Sequence, residues 1–147
     1  MRKILAIICG IFMINSAISF AAISSEKIIL GKITPGMTQE EVLKICGEPE
    51  SKHKDKWNYG NFSVEFDKKI LGAVADEIET KNSGVAAYGG VEVGQSAEVL
   101  SKIFGSADKV DVEKNSTKYK YRSTDGSKSI EFKVIDGVIR KISCELE

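Results

Sequence analysis

The stretch Ile33 to Pro49, ITPGMTQEEVLKICGEP, decides how the chain is read, because Val91 to Ala107, VEVGQSAEVLSKIFGSA, repeats its plan 58 residues later. At that offset Gly36 meets Gly94, Glu40 meets Glu98, Lys44 meets Lys102, Ile45 meets Ile103 and Gly47 meets Gly105. Similarity at a fixed offset of this size marks a duplicated structural unit. The correspondence resumes downstream with small insertions. Trp57-Asn58-Tyr59 stands against Tyr119-Lys120-Tyr121, and Val64-Glu65-Phe66 against Ile130-Glu131-Phe132.

Within the first stretch, Thr38 is an N-cap and Glu41 completes a Thr-x-x-Glu capping box, each side chain satisfying a backbone N–H of the other's residue. Val42, Ile45 and Cys46 then form an apolar stripe at helical spacing. Gly47 closes the helix and Pro49 stops it from continuing. The second copy keeps a cap at Ser96, a stripe of Val99, Leu100, Ile103 and Phe104, and a closing glycine at Gly105, but it lacks the box. Helices this short do not hold in water alone and must dock on something.

The docking surface is expected in the strands that follow. Lys56 to Gly60 alternates, with Trp57 and Tyr59 on one side; Phe62, Val64 and Phe66 alternate with Ser63, Glu65 and Asp67; a third strand runs to Thr80. The second copy repeats this with Tyr119 and Tyr121, then Ile130, Phe132 and Val134, then Val138 to Leu146 beyond the Asp136-Gly137 turn. The expected fold class is therefore α+β: two tandem repeats, residues 22–83 and 84–147, each a helix packed on a three-stranded antiparallel meander.

Residues 1–21 read as a secretory signal peptide. Arg2 and Lys3 precede an apolar run, and Ser19-x-Ala21 fits the small-residue cleavage pattern. The run is interrupted by Asn15, Ser16 and Ser19, so no membrane span is expected once the leader is gone. The expected address is periplasmic or secreted. The whole chain has 21 basic and 21 acidic residues; losing Arg2 and Lys3 leaves 19 basic. No basic excess supports nucleic-acid binding. Cys9 leaves with the leader, so Cys46 and Cys144 remain, either as a disulfide tying the first helix to the final strand or with Cys46 as a small core residue matching Phe104.

The order Gly36-Met37-Thr38, Glu41-Val42, Gly47-Glu48-Pro49 and Trp57-x-Tyr59 resembles the SmpA/OmlA (BamE-like) family of envelope proteins. The duplicated helix-plus-sheet plan is also similar to the β-lactamase-inhibitor-protein fold. The resemblance implies a non-catalytic envelope protein that binds other proteins; the alternative is a secreted proteinaceous enzyme inhibitor.

The residues themselves offer little chemistry. His53 stands alone among lysines, and Cys46, Cys144 and His53 are too few and too scattered for zinc. Neither a catalytic site, a cofactor nor a metal is expected. Trp57, Tyr59, Tyr119 and Tyr121 are either a recognition patch or core; their alternation puts them on the side of the helices, which favours core. The opposite face then carries Lys56, Asn58, Glu65, Lys118, Lys120 and Glu131, the expected partner-binding residues, facing a protein in the envelope or an extracellular enzyme. The leader makes the first prediction: mass spectrometry of the native protein should find Ala22 or Ile23 at the N-terminus, and retained Met1 would refute export.

Overall fold

Thr38 opens the first helix, α1 (Gln39–Cys46), by the expected reciprocal bonds. Its Oγ1 accepts from the Glu41 N–H at 3.2 Å, and its own N–H donates to Glu41 Oε2 at 2.8 Å. The helix ends at Gly47 with φ 74° and ψ −163°, a backbone region that only glycine enters without strain. The second helix, α2 (Glu98–Phe104), starts differently. Its cap is Ala97, and Ser96, expected at that position, sits one residue earlier and accepts from the Glu98 N–H. Gly105 closes it with φ 78° and ψ −145°.

The structure, a computed structural model, describes residues 22–69 and 73–147, so the signal peptide expected at 1–21 lies outside the described residues. It contains eight strands: β1 (Ser51–His53), β2 (Lys56–Asn58), β3 (Ser63–Asp67), β4 (Val74–Thr80), β5 (Lys109–Val112), β6 (Thr117–Arg122), β7 (Lys128–Ile135) and β8 (Val138–Leu146). All of them form one antiparallel sheet in the order β1-β2-β3-β4-β8-β7-β6-β5. Most connections are tight turns. The β7–β8 hairpin uses Asp136 and Gly137, both at positive φ, as a two-residue turn of this twist requires.

This corrects the expected fold class. The chain is not two tandem helix-on-meander repeats; its described residues form a single eight-stranded sheet with two short α-helices. The reason is the pairing of β4 with β8, which matches Glu77 with Glu145, Ile78 with Cys144, Glu79 with Ser143 and Thr80 with Ile142. The two segments that would have been exposed edges of separate meanders satisfy each other's backbone groups instead. Two further strands were also missed. Ser51–His53 is short and wholly polar, and Lys109–Val112, although it alternates as Lys-Val-Asp-Val, is only four residues long; they form the outer edges. Val112 is 80% exposed on that edge, flanked by the Lys109–Asp111 ion pair, and charge on an edge strand discourages pairing with another chain.

The core lies on one face of the sheet. Trp57, Val64, Phe66, Ala75 and Ile78 from one half meet Tyr121, Ile130, Phe132, Ile139, Ile142 and Cys144 from the other. Val42 of α1 and Leu100 and Phe104 of α2 cover this face; the Phe104 ring centre is 5.2 Å from that of Tyr121 and 5.1 Å from that of Phe132. The N-terminal segment, with a 3-10 turn at Ser25–Lys27, adds the buried Ile23, Ile28, Leu30 and Ile33. Units of about 60 residues are marginal by themselves. Expressed separately, residues 22–83 and 84–147 should each lack a cooperative urea transition and regain one when mixed. A cooperative transition in either half alone would show that the β4–β8 pairing is dispensable.

Candidate functional site

Cross-strand register assigns the other face of the sheet. Lys56 pairs with Glu65, Glu65 with Glu77, Glu77 with Glu145, Glu145 with Ser129 and Ser129 with Arg122, so one row runs from β2 to β6. The next row holds Asn58, Ser63, Glu79, Ser143, Glu131 and Lys120. Every expected partner-binding residue falls on this face: Lys56, Asn58, Glu65, Lys120 and Glu131 in these rows, and Lys118 two positions from Lys120. Lys56, Asn58 and Glu65 are exposed, while Lys118, Lys120 and Glu131 are half-buried among their neighbours. The helices and the N-terminal segment lie on the opposite side, so the polar face is open.

Its charge is not evenly mixed. Glu65, Glu77, Glu79 and Glu145 gather where β3, β4 and β8 meet. Burial, then a hydrogen bond and repulsion from Glu79, then repulsion from Glu145 push the Glu77 carboxyl up to about 7. Burial also works against the ionised form of Glu79, but the hydrogen bond and charge of Lys141, 2.7 Å away, outweigh it and hold that carboxyl below its usual value. Burial raises Glu145 as well. Farther along β6–β8 the sign reverses. Lys81, Lys118, Lys133, Arg140 and Lys141 line a shallow cleft of about 340 Å³ with Glu131, Ile135 and Ser143.

Of these groups, the sequence placed Glu65, Lys118 and Glu131 on this face, and missed the carboxylates of β4 and β8 together with Lys81, Arg140 and Lys141. A signal existed. In both strands the alternation breaks at two successive polar residues, Asp76-Glu77 and Arg140-Lys141, and both breaks are bulges where the register shifts.

Trp57 and Tyr121 are core, 6% and 1% exposed, and Tyr59 and Tyr119 pack half-buried against them. Each helix is tied to its sheet through a tyrosine: the Tyr59 hydroxyl donates to the Gly47 carbonyl at 3.0 Å and the Tyr121 hydroxyl to that of Gly105 at 3.4 Å. The Cys46–Cys144 bridge is not formed. Cys144 is a fully buried core residue between Ile78 and Ile130, Cys46 ends α1 half-buried, and both thiols are free. His53 lies in the exposed edge strand β1, not in a loop. Among the described residues no group of three or more His, Cys, Asp or Glu could hold a metal ion, and no helix is long and apolar enough to cross a membrane.

No family model matches the chain, and no curated protein matches it. A solved structure similar to it is that of a DUF4309 family protein (YjgB) from Bacillus subtilis subsp. subtilis str. 168, at 22% identity and a TM-score of 0.49, covering 75% of this chain and 78% of that one. With no family model and no curated protein supporting it, the SmpA/OmlA resemblance does not stand, and the likeness to the β-lactamase-inhibitor fold falls with the two-repeat architecture. Three of the residues that carried the family resemblance, Thr38, Glu41 and Gly47, are the cap and stop of a short helix docked on a sheet, a role such residues play in helices of many folds.

The carboxylate cluster makes a prediction about pH. Glu77 has a higher pKa folded than unfolded, so its contribution to stability is complete below about 4.5, its ordinary value, and is lost as pH rises through about 7. The melting temperature of Glu77→Gln should therefore gain on that of the wild type as pH rises from about 5 to 8. A difference independent of pH would mean that Glu77 titrates normally.

Proposed function

We propose that the chain is an exported, non-catalytic protein-binding module, acting in the cell envelope or outside the cell, that docks a partner protein on the open polar face of its sheet. The observation that carries this reading is the organisation of that face. Residues from both halves of the chain lie on one unbroken surface, clear of helices, with carboxylates at its centre and cations towards the β6–β8 end. A face divided by sign fixes the orientation of a complementary partner and speeds encounter more than it adds affinity. A stable complex of ordinary size needs about 800 Å² from this side, which requires residues from both halves.

The test is capture from envelope and culture-supernatant extracts, followed by affinity measurement on the purified partner. Lys56→Glu in the first half and Lys120→Glu in the second should each weaken binding at least about tenfold. Lys44→Glu, on α1 and therefore on the other side of the sheet, should leave it unchanged. A partner sensitive to Lys44→Glu and indifferent to both face variants would overturn the proposal.

A further inference from the structure

Three lysines face one another directly across the β6–β7–β8 strands: Lys118 opposite Lys133, and Lys133 opposite Lys141. Like charges in directly opposed positions destabilise a sheet. The two outer members find relief, Lys118 from Glu113 at 2.9 Å and Lys141 from Glu79 at 2.7 Å. The central one has no such partner in contact. Among the described residues Lys133 makes no ion pair, and neither does Arg140.

Arg140 reaches this place through the bulge. Lys133 pairs with Lys141 and Val134 with Ile139, which leaves Arg140 as the extra residue of β8 beside the unpaired lysine. A bulge re-aims side chains, and a guanidinium presents a planar fork that matches a carboxylate. The cleft they line has one acidic wall residue, Glu131, and an apolar one, Ile135.

We infer that this cleft holds an acidic segment of the partner protein, carrying two carboxylates at alternate positions of an extended chain. The inference rests on the protein-binding reading above and names the chemistry of the bound group. The spacing agrees: neighbouring strands are ~4.8 Å apart, so the lysine row spans ~10 Å, and same-side residues of an extended segment are ~6.8 Å apart. One carboxylate then lies between Lys133, Lys141 and Arg140, and the next reaches Lys118. A phosphoryl group fits less well. Phosphate sites lean on backbone N–H groups at helix N-termini or nests, whereas both helices lie on the opposite face and the donors here belong to side chains of strands. Glu79, Glu113 and Glu131 near the cleft also repel a dianion more than a single carboxylate.

The probe is a short acetylated and amidated peptide with glutamate at alternate positions, measured by calorimetric titration against the full mature chain. Its glutamine counterpart and pyrophosphate serve as comparisons at matched ionic strength. The glutamate peptide should bind, the glutamine peptide should bind at least about tenfold more weakly, and Lys133→Gln and Arg140→Gln should each weaken the glutamate peptide by about fivefold or more. Lys133→Gln should melt no lower than the wild type, since it relieves a like-charge row; a merely structural lysine would lower the melting temperature. Equal binding of the two peptides, tighter binding of pyrophosphate, or indifference to Lys133→Gln would each overturn the inference. Such a failure leaves intact the partner measurements with Lys56→Glu and Lys120→Glu, so the two readings fail separately.

Discussion

The pairing of β4 with β8 is the constraint on which the rest of the molecule depends. On its inner side it brings Ile78 against Cys144, both fully buried, and so joins the apolar surfaces of the two halves into one core. On its outer side it brings Glu77 against Glu145 and Glu79 against Ser143. The first is favourable by burial; the second places like charges opposite one another, which is not. The structure meets that repulsion by keeping a proton on the Glu77 carboxyl over most of the acidic range and by drawing Lys141 onto Glu79. The central carboxylates are thus a consequence of where the two halves join, and their ionisation is coupled to that join.

The helices are held by the sheet more than by their own ends. α1 has a complete capping box and still relies on the Tyr59 hydroxyl to satisfy its last carbonyl region at Gly47. α2 has no side-chain cap on Ala97; the Ser96 hydroxyl accepts from the Glu98 N–H, and backbone bonds anchor the segment leading in, the Gly94 N–H donating to the Ile139 carbonyl and the Ala97 N–H to that of Gly137. Because those acceptors lie at the start of β8, the strand that makes the central pairing also positions the second helix. Removal of β8 from the sheet would therefore release α2 and expose Phe104, which packs on Tyr121 and Phe132.

What the sequence made legible was local. Thr38 and Glu41 announced α1, Asp136-Gly137 announced a hairpin, and alternation around Trp57, Val64, Tyr121 and Phe132 separated the two faces correctly. These signals depend on residues within a turn or two of each other. Sheet continuity depends on Ile78 meeting Cys144, residues far apart in the chain whose side chains are compatible with many other neighbours. Alternation tells which side a residue faces and nothing about the strand beside it. That is why the expected residues fall together on one face of the sheet while its middle, the carboxylates of β4 and β8, went unseen. The edge β1 was illegible for a different reason: Ser51–His53 has no apolar residue at all, so no pattern could mark it, whereas β5 alternates as Lys-Val-Asp-Val over only four residues.

The acidic centre and the basic cleft are one electrostatic system. Lys141 is the member they share. Its ammonium is held 2.7 Å from Glu79, towards the centre, although its strand position places it directly opposite Lys133 in the cleft. At the far end Glu113 draws Lys118 away in the same manner. Each ion pair lowers repulsion along the lysine row at its ends while leaving the middle uncompensated. These two ion pairs decide where unbalanced charge remains. Here that charge is concentrated on Lys133 with Arg140 beside it. When Glu77 ionises above about 7, the centre gains negative charge and its attraction for Lys141 increases. The central pairing of the fold, which places Glu79 beside Lys141, therefore also shapes the charge along one side of the cleft.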